Sequence, residues 1–465
     1  MSISRRVFLQ NAGLYAAGFM GLKALLNHPL GASLAAGNHA AGFGPLRPDP
    51  SGLLNLPEGF RHTVFSRTGE EMDDGLLVPG AHDGMAAFAG PDGRVLLVRN
   101  HELESAWTDR SPYGEDRGRF GLVDPAKIYD RGHGRLPCIG GTTTLVFDPR
   151  AQRLEKHFLS LAGTQRNCAG GATPWGTWVT CEEVNADPEP DAEQPHGYNF
   201  EVTPSTTPGL ADPVPLKAMG RFRHEAIAVD PRSGVVYQTE DLGDGLLYRF
   251  IPHAPGRLAA GGRLQALALR DRAGADTRNW PDVPAPAFPV GEPLPVRWVD
   301  LEEIDNPAGD LRHRGRAAGA AVFARGEGAW WTGDAACFAM TNGGRNTFGQ
   351  IFRYRPSPHE GTAREDETPG MIELFAEPND RELLRNADNL TIAPWGDLIL
   401  CEDCKDICRL IGVTPAGDFY VLAENTQTGR ELAGACFSPD GSTLFVNVQN
   451  PGYTLAITGP WERRR

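Results

Sequence analysis

The sequence predicts an all-β fold, a six-bladed β-propeller with loop insertions, and three observations carry that prediction. A hairpin-centred unit recurs six times along the chain. Glycine (56) and proline (38) mark many turns, while few long helix-periodic runs follow the first forty residues. Acidic residues fall at matching places in successive units, at the start of the first strand and the end of the second. Repeated hairpins close into a ring around one axis, which brings equivalent positions of all units together.

Taken in order, the chain opens with Ser4-Arg5-Arg6-Val7-Phe8-Leu9, the twin-arginine export pattern, followed by a moderately apolar stretch and small residues at Ala32–Ala36. Residues 1–36 are therefore expected to be a twin-arginine signal peptide. Residues 37–75 are expected to be a linker and a first strand leading into the ring, and 76–465 a single propeller domain. The first unit runs from Asp83 to Phe88, turns at Gly90-Pro91-Asp92-Gly93 and ends in Asn100-His101-Glu102. The second spans Cys168 to Glu183 around the turn Pro174-Trp175-Gly176. In the third, His224–Val229 precedes a strand ending in Thr239-Glu240-Asp241. The fourth runs from Arg325 to Asn342. The fifth runs from Asp388 to Asp403, with the turn Pro394-Trp395-Gly396-Asp397. The sixth begins at Gly434 and ends in Gln449-Asn450. The stretches Asn185–Gly197, Ala254–Pro295 and Pro356–Pro369 are surface insertions by composition.

The net charge of −14 argues against nucleic acid as a partner. An anionic substrate would be repelled unless bound cations reversed the local field. No segment is long and apolar enough to make a stable membrane span. Of the eight cysteines, Cys401, Cys404 and Cys408 form a C-x2-C-x3-C cluster. That cluster is compatible with a local disulfide, with inert buried thiols, or with half of a zinc site lacking its second pair.

The stretch Asn167–Glu183 places a cysteine at one end of a hairpin and two carboxylates at the other, so sulfur and oxygen donors meet where the chain returns. Closing the ring adds Asp83, Glu225, Glu327 and Asp388 from the unit starts. The unit ends add Glu102, Glu182, Glu183, Glu240, Asp241, Glu402 and Asp403. So many carboxylates around one channel mouth require cations to remain ionised. No G-x-S-x-G elbow and no phosphate-cradling P-loop is present, so the chemistry this points to is metal-assisted hydrolysis. His101 and His224, beside the acids, are candidates for metal-supporting partners or proton donors and equally for structural histidines. Strand alternation alone does not decide between Cys168 and Cys181 as the sulfur ligand.

Several motifs resemble the PhoX-type bacterial alkaline phosphatases: Asn167-Cys168-Ala169-Gly170-Gly171; Trp175–Trp178 with Thr180-Cys181-Glu182-Glu183; Gly220-Arg221-Phe222 with His224-Glu225-Ala226; Thr239-Glu240-Asp241; Arg325-x-Glu327-Gly328-Ala329-Trp330; Cys401-Glu402-Asp403; and Gly434–Gly441. The resemblance implies a propeller carrying ferric iron and calcium (Fe3+ and Ca2+) that hydrolyses phosphate monoesters outside the cytoplasm. It implies metal ligation by Cys168, rather than Cys181, with Glu183, Glu225 and Glu327. It further implies calcium ligation by Asp403 and phosphate binding by Arg325 as the catalytic residue. Glu240, Asp241 and Glu402 complete the expected metal-binding set. The expected partners are a small-molecule phosphate ester and the twin-arginine export machinery. Two rival readings are a calcium-dependent lactonase or esterase, using Asn100, Asn342 and Asn389, and a non-catalytic binding propeller stabilised by calcium.

Overall fold

Short alternating strands joined by Asp-Gly and Pro-x-Gly turns fold into antiparallel hairpins. In the first of them Asp92 and Gly93 both take left-handed backbone angles (φ 52° and 74°), a turn that glycine permits and aspartate tolerates. The computed structural model describes residues 39–184, 192–284, 287–426 and 431–464 of the chain, and the expected signal peptide lies outside them. Among the described residues the fold is all-β and propeller-like, with one short α-helix, Leu311–Ala317.

Among the described residues five sheets are formed. His82–Ala89, Val95–His101, Gly140–Asp148 and Arg153–Thr164 make a four-stranded sheet. Asn167–Ala172, Trp178–Glu182 and Asn199–Val202 make a three-stranded one. A nine-stranded sheet contains two antiparallel meanders, one starting at His224–Val229 and the other at Gly326–Trp331. They are joined at their outer edges through the strand Leu294–Asp300, which pairs with Gly262–Leu269 on one side and Met371–Ala376 on the other. The fourth sheet starts at Ala387–Ile392 and the fifth at Leu432–Phe437. The innermost strand of each meander lies beside the innermost strand of the next, and Leu432–Phe437 returns to His82–Ala89. Apolar side chains fill the spaces between sheets, among them Tyr237, Leu267, Phe338, Phe352 and Tyr354, all buried.

The segment before residue 76 is part of this ring. Arg61–Arg67 pairs with Tyr453–Thr458 as the outer strand of the last sheet, and Leu54–Pro57 extends the preceding sheet against Phe419–Asn425. The first and last parts of the chain are thus hydrogen-bonded to each other, leaving no unpaired seam there. Cys401 is buried, and Cys404 and Cys408 lie with their sulfurs 2.9 Å apart. All eight cysteines are free thiols.

Candidate active site

Two local features repeat around the ring and create the site. The first is a register shift near the start of each innermost strand, between His82 and Met85, Asn167 and Gly170, His224 and Ile227, Gly326 and Ala329, Ala387 and Leu390, and Ala433 and Cys436. Such a bulge interrupts strict alternation and re-aims a side chain. In five of these places the re-aimed stretch carries a potential ligand: Asp83, Cys168, Glu225, Glu327 and Asp388. The second feature is a backbone hydrogen bond that closes the mouth of every hairpin. The amides of Glu102, Glu183, Asp241, Thr341, Asp403 and Gln449 donate to the carbonyls of Ala81, Arg166, Arg223, Arg325, Asn386 and Glu431, respectively. Ala81, Arg166, Arg325 and Asn386 take left-handed φ angles of 43–52° there, a conformation costing non-glycine residues about 1–2 kcal/mol each.

These features produce a chain of converging donor atoms. Cys168, Glu183 and Glu225 form one group whose ligand atoms lie within 4.8 Å of one another. Glu225, Glu327 and Asp388 form a second, and Asp388, Asp403 and Glu431 a third. Glu225 and Asp388 belong to two groups each, so the three merge into one arc. Cys168 is held in place by Asn100, whose side-chain amide donates to the carbonyls of Cys168 (3.1 Å) and Ala169 (2.6 Å) and accepts from the Trp178 indole (2.8 Å).

Along one side of the mouth, acids and arginines alternate. Arg166 bridges Glu102 (2.5 Å) and Glu183 (2.6 Å), and Arg223 pairs with Glu183 and reaches Asp241 at 3.5 Å. Arg325 donates from Nε and Nη2 to the two oxygens of Asp241 (2.7 and 2.9 Å) and from Nη2 to Glu327 (3.0 Å). Among the described residues Nη1 of Arg325 makes no hydrogen bond, and 38 % of its side chain is exposed. The other side of the mouth lacks such pairing: Asp83, Glu225, Asp388, Asp403 and Glu431 make no salt bridge among the described residues. Gln449 bridges Asp83 (3.1 Å) and Glu102 (2.9 Å), and Asn389 donates to Asp388 (2.6 Å).

Burial, reinforced by neighbouring carboxylates, pushes the carboxyls of Asp83, Glu225 and Glu327 well above the usual range and that of Asp388 up to about 7. Burial, then Glu225 and Glu183, likewise raises the Cys168 thiol. Without added positive charge these groups hold protons. Sulfur and carboxylate oxygen meeting at one end of the arc, and carboxylates alone at the other, form a donor set suited to a transition metal beside hard cations.

The structure brings together Cys168, Glu183, Glu225, Asp241, Glu327, Asp403 and Arg325 from the expected set. It places Glu240 and Glu402 elsewhere. Glu240 accepts from the Leu246 amide (3.0 Å) and the Tyr248 hydroxyl (2.8 Å), inside its own sheet. Glu402 accepts from the Arg385 and Arg409 amides and from the Arg409 guanidinium (2.6 and 2.8 Å). Glu182 is likewise turned inward, accepting from the amides of Gln165, Gly197 and Tyr198. His101 bridges the Gly80 carbonyl and the Thr143 hydroxyl, and His224 stacks on Phe222 and contacts the Gly220 carbonyl, so both are structural. Burial holds His224 at about 3, neutral across the physiological range.

Three residues escaped the sequence reading. Glu431, Arg223 and Arg166 each stand immediately before an innermost strand, the place that Arg325 also occupies. Aligning the repeats from one residue before the strand start would have found all three.

A family model described as alkaline phosphatase PhoX matches residues 41–134 and 141–452. Pseudomonas fluorescens PhoX, solved in complex with vanadate as a transition-state analogue, is 18 % identical with a TM-score of 0.61, over 91 % of this chain and 98 % of that one. A gluconolactonase of Xanthomonas campestris is 12 % identical with a TM-score of 0.37, over 90 % and 99 %. A periplasmic gluconolactonase of Pseudomonas aeruginosa is 14 % identical with a TM-score of 0.36, over 84 % and 89 %. No curated protein sequence matches the chain.

Proposed function

The chain belongs to the alkaline phosphatase PhoX family and is a hydrolase of the phosphatase type, and from that premise we propose that it is an exported phosphomonoesterase whose ring of acids holds ferric iron and calcium. The observation that carries the reading is the continuous arc from Cys168 to Glu431 with Arg325 at its mouth. Cys168, Glu183 and Glu225 would hold iron, the end where thiolate and carboxylate meet. Glu225, Glu327, Asp388, Asp403 and Glu431 would hold calcium, whose preferred ligands are oxygens. Bound there, the cations supply positive charge against a phosphate and acidify a water molecule.

The chain's own groups orient the substrate. Asp241 fixes the Arg325 guanidinium through two parallel hydrogen bonds and leaves Nη1 to bind a non-bridging phosphate oxygen. Arg223, anchored through Nη2 on Glu183 and Asp241, stands beside it as a further cation for the same anion. We count the ring as six blades, reading the nine-stranded sheet as two blades stitched together by Leu294–Asp300. Export rests on Arg5-Arg6 and their setting. Asn100 and Asn389 are engaged with neighbouring backbone and side chains, which removes the support their amides would lend to a lactonase site.

Metal analysis combined with hydrolysis of an aryl phosphate tests the reading. The purified protein should contain iron and calcium and be coloured by a thiolate-to-iron charge-transfer band. Cys168→Ser should lose colour, iron and turnover, while Cys181→Ser should retain all three. Calcium without iron, or a Cys168→Ser protein that keeps its colour, would reject the iron-dependent phosphatase.

A further inference from the structure

A second cluster of donor atoms lies apart from the arc. Asp130 and Cys138 come from the long connection between the second and third strands of the first sheet, and His196 lies three residues before Asn199, which opens Asn199–Val202 in the next sheet. All three are buried, at 0, 2 and 3 % exposure. One atom of each converges: His196 Nε2 lies 3.2 Å from Asp130 Oδ2 and 3.6 Å from Cys138 Sγ, and all three lie within 4.8 Å of one another. Such separations suit ligands sharing one small cation, because tetrahedral bonds of about 2.0–2.3 Å leave donors roughly 3–4 Å apart.

The surroundings of these atoms hold them in place. Glu182, turned away from the channel, accepts from His196 Nδ1 at 2.6 Å. That contact fixes the ring so that Nε2 faces Cys138 and Asp130, the carboxylate–histidine arrangement that orients metal ligands. Cys138 Sγ accepts hydrogen bonds from the Gln165 side-chain amide (3.2 Å) and the Ser105 hydroxyl (3.5 Å), both of which would stabilise a thiolate. Asp130 is held by the Gly132 amide at one oxygen and by the Glu193 and Gln194 amides at the other.

We propose that Asp130, Cys138 and His196 form a separate structural site for a borderline divalent cation of the zinc type, completed by one water. One thiolate, one imidazole and one carboxylate match zinc better than calcium, which wants oxygen alone, or iron in the arc, which would be served by Cys168. Binding would displace one proton from the imidazolium at Nε2 and one from the Cys138 thiol, so the ion's two charges replace two protons and the net charge of the pocket is unchanged. The ion would tie the loop at Asp130–Cys138 to the segment at Pro195–Tyr198. It would also hold Glu182, the neighbour of Glu183, at a fixed place. The site is independent of the phosphatase reading.

Cobalt(II) replaces zinc and reports a thiolate ligand by a near-ultraviolet charge-transfer band. The metal-stripped full chain carrying Cys168→Ala, in which the arc offers no sulfur, is titrated with cobalt(II). The expected result is a thiolate band that saturates with one sulfur-ligated cobalt per chain, distinct from oxygen-ligated cobalt in the arc, and that is reversed by added zinc. Adding Cys138→Ala should abolish the band and lower cobalt affinity at least 100-fold. The absence of any band in the Cys168→Ala chain, or a band surviving Cys138→Ala, overturns the proposal. Should Cys138→Ala fail to fold, His196→Gln takes its place, and a band of unchanged strength and affinity in that variant is the overturning result.

Discussion

Arg325 shows how one side chain acquires a task through its partners. Asp241 and Glu327 consume Nε and Nη2, and the backbone at Arg325 is left-handed. Removing it should cost hydrolysis of an aryl phosphate on the order of 10²-fold in kcat/KM, the loss usual for a preorganised charge-stabilising donor. Iron and calcium content should be unchanged in Arg325→Ala, and a variant with wild-type kcat/KM would reduce the residue to an anchor for Asp241. At this scale the sequence was legible by pairs. Glu182-Glu183, Glu240-Asp241 and Glu402-Asp403 were each recognisable as acids ending a second strand. Which member faces the axis was not, because alternation sends neighbours to opposite sides without saying which side is which. In all three the second residue faces the mouth, and the first caps a turn or an arginine within its own sheet.

At the scale of the element, the hairpins were readable because turn residues and period-two apolar runs are local signals. The register shift at the start of each innermost strand was not, since a bulge arises from pairing between strands distant from any one residue. The sixth repeat was therefore read from Gly434, and Glu431 fell outside it. Glycine permits the innermost strands to touch at their bulges. A Cβ on Gly84 would stand 2.5 Å from Ala169 Cα, and one on Gly328 would stand 2.6 Å from the Asp388 carbonyl oxygen. Backbone cannot yield as a flexible side chain does. Gly84→Ala should lower stability by about 1–3 kcal/mol in denaturant unfolding, the usual penalty for overpacking. It should also weaken metal retention, because Cys168 adjoins Ala169. Gly121→Ala, where a Cβ meets nothing within 4 Å, is the control. Equal stability of the two variants would show that the strands tolerate separation.

For the whole molecule, the all-β ring was visible from six repeats, and the integration of residues 39–75 was not. Arg61–Arg67 joins the last sheet through pairs made some 390 residues later in the chain (Arg67 with Tyr453), a separation that no local pattern encodes. The concentration of acids also gives the molecule a global pH response. In the cation-free protein Asp388 titrates near 7 instead of its ordinary 3.8, and Asp83, Glu225 and Glu327 are shifted the same way. Between about 4 and 7 the folded state then binds more protons than the unfolded state, so stability is full at the acid end and falls as pH rises through that window. Chelated protein should melt at a higher temperature at pH 5 than at pH 8. Protein saturated with iron and calcium should gain most at pH 8, where cations no longer compete with protons. A chelated protein equally stable at both values would mean that the arc is not protonated as its burial requires.

The closing pair of strands also bears on when the site can exist. Its donors are spread from Cys168 to Glu431, and the ring that gathers them is fastened by Tyr453–Thr458 against Arg61–Arg67. During synthesis the first half of the arc is made long before the strand that locks it. An unfinished or prematurely ended chain therefore has cysteine and carboxylates in the right order and no geometry to hold an ion. On the proposed reading, metal occupancy would report closure of the ring, and a chain ending before Tyr453–Thr458 should stay free of metal and colourless.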